Sequence, residues 1–186
     1  MSRDNEQVFD KNINLWDDST EAFRPSSRPC DDEGIVSQRT QLIKNGTVNS
    51  FLYDLQTAAL SGTNSTGNGR RRQGGLPGPS STAFVFAPGN TTFQEMVQDI
   101  KEGLVVEQLM GASQGNVLGG DFSGNVILGY KIENGEIKGR VKNTMVTGNI
   151  YEILNNIVAI GSDSRWVSSS LKTPSFYFAD VSVASK

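Results

Sequence analysis

Short alternating segments of apolar and polar residues, separated by glycine-containing turns, set the class of fold that this chain can adopt. Twenty of its 186 residues are glycine, and many stand next to asparagine. Asn-Gly pairs favour the tight turns that join antiparallel strands. One such pair, Asn134-Gly135, joins an alternating run that begins at Val126 to a return segment that begins at Ile137. The pattern predicts antiparallel strands rather than a doubly wound parallel sheet.

Apolar runs place the remaining strands. They are predicted at 8–15, 35–43, 82–87, 104–110 and 174–184. Asn45-Gly46 marks a hairpin turn after the second of these runs. The polar stretch 17–34 between the first two runs predicts a long loop.

Three segments carry the spacing of short helices instead. Apolar residues at 51, 52, 55, 58 and 59 would form one stripe along a helix. Thr92 and Glu95 make a capping box, which predicts a helix that ends with Gly103 as its C′ residue. Apolar residues at 150, 153, 154, 157 and 158 predict an amphipathic third helix over 149–160. With eight or so strands, the chain is expected to be a single antiparallel-rich α+β domain.

Two absences limit the chemistry of this chain. It contains no histidine and a single cysteine, Cys30. A Ser-His-Asp triad, a Cys-His pair and an HExxH metal helix are therefore excluded. One cysteine makes neither an intrachain disulfide nor a Cys-x-x-Cys metal site. The acidic residues that follow Cys30 favour an unreactive thiol, because nearby negative charge opposes thiolate formation.

Charge and hydropathy narrow the range of partners. Seventeen basic residues against twenty acidic residues give a net charge of −3, so no basic field favours nucleic acid. No run approaches the roughly 18 apolar residues of a membrane-spanning helix. Charged residues near the N-terminus stand where a signal peptide would have an apolar run. A cytoplasmic protein without a membrane segment is the expectation.

An acidic cluster at Asp31, Asp32 and Glu33, with Asp17 and Asp18 upstream, allows two interpretations. Carboxylate oxygens suit Mg²⁺ or Ca²⁺, but the alternating spacing of an EF-hand loop is missing. The interpretation that the residues favour is that Asp32 and Glu33 fix a turn and pair with arginines. A hydrolase that uses these carboxylates with a divalent metal stays open as a minor alternative.

The most unusual segment is the glycine- and arginine-rich stretch over 61–79. It has six glycines, three consecutive arginines from Arg70 to Arg72, and almost nothing to bury. Main-chain N–H groups and guanidinium groups suit an oxyanion, yet neither a P-loop nor a GxGxxG motif is present. Binding of an extended peptide or a neighbouring chain is equally compatible, as is plain flexibility. The loop must be either mobile or held by other groups.

Nine short motifs, taken in order, resemble one family. They are DDEG at 31–34, LIKNG at 42–46, FLYD at 51–54 with Thr57 and Ala58, STGN at 65–68 with Arg70, PG at 88–89, GL at 103–104, GDFS at 120–123, IENGEI at 132–137 and GN at 148–149. In this order they resemble the C-terminal domain of the TldD/PmbA proteins, a family of metallopeptidases also named modulators of DNA gyrase. The resemblance covers the chain from about Ile13 to Val183 and assigns residues 1–186 to that domain.

The resemblance implies a cytoplasmic protease built from two related subunits. One subunit would carry zinc, held by two histidines of an HExxxH helix in its N-terminal half and by a cysteine near its C-terminus. The other subunit would lack these ligands and complete a chamber for unfolded or modified peptides, which bind in extended form against a sheet.

This chain departs from the zinc-binding pattern. The N-terminal domain with its HExxxH helix is absent, and no histidine occurs at any position. Residues 162–173 read SDSRWVSSSLKT where zinc-binding members have a Gly-x-Cys-Gly segment, and Cys30 lies in an unrelated loop. The resemblance is therefore strongest to the PmbA-like, metal-free subunit, as either a fragment or a short paralogue. We expect no cofactor in this chain and no peptide hydrolysis by it alone, with zinc confined to a catalytic homologous subunit.

The expected role is a non-catalytic C-terminal domain that helps form the peptide chamber and a subunit interface. Contacts with peptide or partner are expected from Asp32, Glu33, Ser65, Thr66, Asn68 and Arg70. The partner would be a TldD-like subunit or a second copy of the chain, and an unpaired strand edge or apolar patch should be exposed. The alternative is a stand-alone binding module that acts on DNA gyrase or another partner without proteolysis.

Overall fold

The computed structural model describes residues 6–185, which form two compact units. The first unit holds the described residues up to Pro88 together with Ser164–Pro174. The second unit holds Gly89–Asp163 and the described residues from Ser175 onward. Each unit is therefore assembled from two separate stretches of chain, and the chain passes three times from one unit to the other.

Short strands dominate the secondary structure of both units. Within residues 6–185 the fifteen strands are β1 (Leu15–Asp18), β2 (Arg39–Lys44), β3 (Thr47–Val48), β4 (Gly69–Arg71), β5 (Pro77–Pro79), β6 (Phe84–Phe86), β7 (Glu102–Met110), β8 (Asp121–Glu133), β9 (Glu136–Arg140), β10 (Thr144–Asn149), β11 (Ile157–Ile160), β12 (Arg165–Ser168), β13 (Leu171–Thr173), β14 (Phe176–Phe178) and β15 (Ser182–Ser185). The helices are α1 (Leu55–Leu60), α2 (Phe93–Asp99) and α3 (Ile150–Ile153), with a 3₁₀ turn at Val117–Gly119.

The first unit is built on a six-stranded sheet. Its strand order is β12-β13-β6-β1-β2-β3, and only the β13–β6 pair is parallel. Helix α1 and the hairpin of β4 and β5 belong to the same unit. The buried apolar side chains of this unit are Ile13, Ile43, Val48, Ala58, Ala83 and Val85.

The second unit is built on a five-stranded antiparallel sheet. Strands β15, β10, β8 and β7 follow one another across it, and β9 also pairs with β8. Strands β11 and β14 form a separate antiparallel pair. The buried apolar side chains of this unit are Met96, Val97, Val126, Ile132, Val146 and Ile160.

The predicted antiparallel-rich α+β fold with three helices is confirmed. Asn134-Gly135 joins β8 to β9, and Asn45-Gly46 joins β2 to β3. Both asparagines have a φ of 50°, and the glycines that follow have φ values of 78° and 74°. These left-handed conformations are the ones that type I′ hairpin turns require, which is why the Asn-Gly signal succeeded.

Several predicted boundaries were wrong. The first strand lies at Leu15–Asp18 rather than at 8–15, so two acidic residues assigned to a loop belong to a strand. Helix α2 ends at Asp99, because the backbone of Ile100 is already extended and β7 begins at Glu102. The predicted strand over 174–184 is divided into β14 and β15.

The predicted helix over 149–160 is the largest of these errors. Only Ile150–Ile153 is helical, and Ile157–Ile160 pairs as a strand with Phe176–Phe178. Asn155 and Asn156 intervene, and their side chains donate hydrogen bonds to the main-chain carbonyls of the preceding turn. Asparagine commonly ends helices in this way, and pairing with a distant strand then outweighs local spacing.

The length and polarity of the helices decide whether any of them could span a membrane. Each helix between residues 6 and 185 is too short and too polar to cross a lipid bilayer.

Candidate functional site

Most residues that the sequence singled out meet around residues 65–69 of the first unit, which we call the anchored loop. Its residues from Thr66 to Gly69 are buried although the segment is polar. Buried polar groups need hydrogen-bond partners, because leaving one unpaired costs about 1–3 kcal/mol of desolvation. The main chain of Tyr53 and the carboxylates of Asp17 and Asp31 supply partners of this kind.

Tyr53 holds the start of the anchored loop through its main chain. Its carbonyl oxygen accepts hydrogen bonds from Ser65 Oγ, Thr66 Oγ1 and the Thr66 N–H, each at 3.1 Å. Its N–H donates to Thr66 Oγ1 at 2.8 Å. The hydroxyl groups of Ser65 and Thr66 are therefore occupied by the main chain of this protein.

Asn68 ties the loop to a buried carboxylate. Its Nδ2 donates to Asp17 Oδ2 at 2.6 Å and to the Ser80 carbonyl at 3.2 Å. Asp17, on β1, also accepts from the N–H and hydroxyl of Thr82, both at 2.7 Å, and from the Ala83 N–H at 3.1 Å. Four donors thus compensate the loss of water around a carboxylate that is only 1% exposed.

The acidic cluster fixes the other end of the loop. Asp31 Oδ1 accepts from the N–H groups of Glu33 and Ile35, both at 2.9 Å, and its Oδ2 accepts from the Gly69 N–H at 2.8 Å. Asp31 therefore holds its own turn with one oxygen and the anchored loop with the other.

Asp32 and Glu33 join separate segments of the unit. Asp32 Oδ2 accepts from the Arg71 N–H at 2.7 Å, and the Asp32 N–H donates to the Gly69 carbonyl at 3.0 Å. Glu33 Oε2 accepts from the N–H of Leu55, the first residue of α1, at 2.8 Å. A carboxylate at this position complements the partial positive charge of a helix N-terminus.

Gly69 lies where the carboxylates of Asp31 and Glu33 converge. A Cβ atom at this position would lie 2.5 Å from Glu33 Oε2 and 3.0 Å from Asp31 Oδ2. Real Cβ atoms do not approach oxygen so closely, so a side chain here would displace at least one of the two acids.

The prediction that Asp32 and Glu33 fix a turn and pair with arginines was wrong. Asp31, rather than Asp32 or Glu33, holds the turn. Within residues 6–185 neither Asp32 nor Glu33 pairs with a guanidinium group, because both accept main-chain N–H groups. The same part of the chain contains no group of three acidic or cysteine side chains close enough to hold a metal ion.

The predicted site residues divide into two classes. Ser65, Thr66 and Asn68 use their polar atoms to hold the anchored loop, and the carboxylates of Asp32 and Glu33 accept the main-chain N–H groups of Arg71 and Leu55. Arg70 instead lies on β4, in the hairpin with β5, with an exposed side chain. The sequence left open whether the glycine-rich stretch over 61–79 is mobile or held by other groups. Its part at 65–69, the anchored loop, is held by hydrogen bonds to neighbouring residues.

Sequence reasoning missed two groups that hold the loop. Tyr53 acts only through its main chain, which leaves no mark in residue type. Asp17 lies 51 positions from Asn68, so no local pattern connects them. Asp31, in contrast, could have been recognised from the sequence. An aspartate shortly before a glycine, here Gly34, is typical of a turn in which the aspartate side chain accepts the main-chain N–H two residues later.

The second unit presents a solvent-exposed apolar surface, which we call the apolar face. It consists of Val106, Met110, Ile127 and Met145, which are 38–57% exposed. Met110 and Met145 both stand opposite Asn125 in register, so all three share one side of the sheet. Ile127 follows Asn125 by two residues, and Val106 stands opposite Gly129, two residues further on.

Strand β7 forms one edge of the same sheet. It is nine residues long, and among the described residues it pairs with β8 and with no other strand. A strand with one open edge is a ready template for an added strand.

The chain matches a model of a known protein family. The model described as the PmbA/TldA metallopeptidase C-terminal domain matches residues 2–185.

Relatives and solved structures agree with this match. A metalloprotease TldD homolog of Haemophilus influenzae is 32% identical over 161 residues, which are 86% of this chain and 33% of the relative. A structure from Thermotoga maritima, described as "a putative modulator of a DNA gyrase", is 32% identical with a TM-score of 0.86 and covers 98% of this chain and 41% of that one. TldE from Thermococcus kodakarensis is 29% identical with a TM-score of 0.83 and covers 98% and 42%. The chain thus spans less than half the length of each of these proteins.

Proposed function

The chain belongs to the family of PmbA/TldA metallopeptidase C-terminal domains, and from this premise we propose that it is a non-catalytic domain that helps form a peptide-binding chamber and a subunit interface. It would work in the cytoplasm with a TldD-like subunit or with a second copy of itself. The lack of histidine supports the non-catalytic part of the proposal, since imidazole is the usual nitrogen ligand of catalytic zinc.

The observation that carries this proposal is the apolar face of the second unit. Four large apolar side chains on one side of a sheet are costly to leave in water, at roughly 25 cal/mol for each Å² of apolar surface. Contiguous exposed apolar residues are typical of surfaces that contact another protein. The apolar face, which is exposed to solvent in this chain, therefore suits a subunit interface.

The open edge of β7 supports the peptide-binding part. An extended peptide that pairs with this edge would gain main-chain hydrogen bonds without regard to its sequence. Such pairing suits an unfolded substrate, because it reads the backbone rather than particular side chains.

Within the first unit, we propose that Arg70 and Asp32 make the contacts with peptide or partner. Both side chains are exposed, whereas Glu33, Ser65, Thr66 and Asn68 would act by positioning. A rigid base beneath an exposed arginine lowers the entropy lost when that arginine binds a carboxylate.

The test is to mix this chain with a zinc-bearing TldD homologue and an unfolded peptide. We expect a complex in size-exclusion chromatography with light scattering, and a change in the rate of peptide cleavage. Met110→Glu is expected to weaken the complex at least about tenfold, because it buries a charge against an apolar surface.

Val36→Glu is the matched control. Val36 is also exposed and apolar, but it belongs to the first unit and not to the sheet that carries the apolar face. Wild-type affinity is expected for this variant. Failure of the wild-type chain to bind, together with unchanged cleavage, would refute the proposal.

A second candidate function is suggested by the description of the Thermotoga maritima structure as a gyrase modulator. In that case the chain would bind a gyrase subunit without any peptidase partner. A pull-down with purified gyrase subunits separates the two functions, since a stoichiometric complex there, and none with the TldD homologue, would favour this second one.

A further inference from the structure

An open cavity lies in the first unit beside the anchored loop. Its volume is about 400 Å³, and its lining consists of Ser19, Thr20, Ser27, Arg28, Pro29 and Ser37. The lining therefore combines four hydroxyl groups with one guanidinium group and contains no acidic side chain. We call it the Arg28 cavity.

The guanidinium group of Arg28 forms no ion pair with any carboxylate of residues 6–185. Its Nη2 donates one long hydrogen bond, 3.4 Å, to the Gly67 carbonyl. Its Nε is buried, and within residues 6–185 it has no hydrogen-bond partner. A buried donor on a permanent cation is costly unless an acceptor, preferably an anionic one, approaches it.

Ser37 supplies a second unsatisfied donor to the same cavity. The residue is 9% exposed, and its Oγ has no hydrogen-bond partner in the described part of the chain. Its N–H donates to the Pro29 carbonyl at 3.0 Å, which holds it against the segment that carries Arg28. Two residues of the cavity lining, Arg28 and Ser37, thus each carry a buried donor that lacks an acceptor within residues 6–185.

The other three hydroxyl groups already have acceptors. Ser19 donates to the Gln38 carbonyl at 3.3 Å, Thr20 to Asp18 Oδ1 at 2.7 Å, and Ser27 to the Glu21 carbonyl. These three hydroxyl groups therefore already donate to acceptors within the protein. Within residues 6–185, Arg28 Nε and Ser37 Oγ are the donors of the lining residues that still lack an acceptor.

We propose that the Arg28 cavity binds a carboxylate of an extended peptide. The inference rests on the proposed peptide-binding function and names a chemical group that would be recognised. A carboxylate has two acceptor oxygens, which suit the guanidinium group of Arg28 and the hydroxyl group of Ser37 once these buried donors turn toward the cavity. One guanidinium balances one negative charge, which favours a carboxylate over the more highly charged phosphate.

The hydrogen bond from Arg28 to Gly67 links the cavity to the anchored loop. It fixes the only cation in the cavity lining against the segment that leads to Arg70. A carboxylate bound at Arg28 would therefore hold peptide next to the loop that the proposed function uses.

The experiment follows the Nε–H signal of Arg28 in ¹⁵N–¹H correlation spectra of the full chain. The probes are acetyl-trialanine with a free C-terminal carboxylate, the same peptide as its C-terminal amide, and acetyl-Ala-Asp-Ala as its amide. The free acid is expected to shift the Arg28 signal in a saturable way and the neutral amide to leave it unchanged. A shift with the aspartyl amide would show that side-chain carboxylates are accepted as well as C-terminal ones.

Variants separate the cavity from general charge effects. Arg28→Met is expected to weaken binding of the acid about tenfold or more, and Ser37→Ala about threefold. Arg24→Met is the matched control: it removes the same charge from the same segment, but Arg24 lies over the Trp166 ring, 4.4 Å from its centre. Wild-type affinity is expected for that control.

Three results would overturn the inference. They are equal shifts with acid and amide, unchanged affinity in both Arg28→Met and Ser37→Ala, or inorganic phosphate binding more tightly than either carboxylate peptide. Failure of the TldD complex with carboxylate binding intact would refute the proposed function alone. If Arg28→Met does not fold, Ser37→Ala and the comparison of acid with amide still decide the matter.

Discussion

At the scale of single residues, Asp17 is the group on which the anchored loop most depends. Its two oxygens accept four hydrogen bonds from Asn68, Thr82 and Ala83. All of the donors come from segments more than fifty positions away, so one carboxylate joins β1 to the loop and to the residues that lead into β6.

Replacement of Asp17 by asparagine is expected to lower the free energy of unfolding by about 2–4 kcal/mol. The amide keeps one acceptor oxygen, but its NH₂ group would face donors that are left without an acceptor. Urea denaturation followed by circular dichroism measures the change. Asp32→Asn is the matched control, because exposed Asp32 accepts a single N–H that an amide oxygen also accepts, and we expect a loss below about 0.5 kcal/mol. Equal losses in the two variants would contradict the prediction.

A second prediction compares the effect on stability of alanine at Gly69 and at Gly78. Gly69→Ala is expected to destabilise the chain by about 1–3 kcal/mol, because the added methyl group meets Glu33 and Asp31. Gly78 stands on the paired strand β5, where an added Cβ meets no atom within 4 Å. Gly78→Ala should therefore change the midpoint of urea denaturation little, and a larger effect there than at Gly69 would count against this account.

The sequence predicted which residues form the site better than it predicted the groups to which they form hydrogen bonds. The motifs at 31–34 and 65–68 drew attention to the correct segments, and the structure brings both together at Gly69. What the acids would bind was predicted incorrectly, because main-chain N–H groups are present at every residue and give no compositional signal. The bond between Asp17 and Asn68 depends on the path of the whole chain, which residue type does not encode.

At the scale of secondary structure, the capping box of α2 shows a case where local sequence was sufficient. Glu95 Oε2 accepts from the Thr92 N–H at 2.7 Å and from its hydroxyl at 2.8 Å. These bonds, the main-chain one first, hold the pKa of Glu95 below its ordinary value of 4.5. A lowered pKa in the folded state adds stability above pH 4.5 that is lost as the pH falls through the folded-state value.

Glu95→Gln should therefore reduce the fall in melting temperature that acidification causes. The neutral amide has no charge to lose, so the two melting temperatures are expected to converge as the pH decreases from 6 to 3. Differential scanning calorimetry at several pH values gives the comparison. Gln94→Ala, at an exposed position of the same helix, should follow the wild-type pH dependence, and a flat difference between Glu95→Gln and wild type would contradict the prediction.

The third predicted helix shows why local spacing fails elsewhere. Apolar residues at 150, 153, 154, 157 and 158 satisfy a helical period, yet Ile157–Ile160 pairs with Phe176–Phe178. Helical and strand periods are hard to separate over such short runs. The pairing partner decides between them, and it lies about twenty residues further along the chain.

At the scale of the whole molecule, the exchange of segments between the two units governs how the chain can be divided. The sheet of the first unit takes β12 and β13 from residues beyond the second unit's main segment. No linker in the sequence marks this arrangement, because the crossings occur at short connections near Pro88, Asp163 and Pro174.

A fragment that ends at Pro88 is therefore expected not to fold cooperatively. It lacks two of the six strands of its sheet and leaves β6 without its parallel neighbour β13. Thermal unfolding by circular dichroism and the dispersion of amide proton signals test this. Joining residues 164–174 to the fragment through a flexible linker should restore a cooperative transition, whereas a sharp transition in the unextended fragment would show the prediction to be wrong.

The anchored loop also separates two kinds of evolutionary freedom. Its attachments end at Arg71, whereas residues 72–76 at the hairpin tip are exposed and joined internally by a bond from the Gly75 N–H to the Arg72 carbonyl. Mutations and insertions at the tip thus escape the constraints that bind the base. Epitope tags or fluorescent reporters grafted between Arg72 and Leu76 should be tolerated, which makes this hairpin a practical handle for engineering the protein.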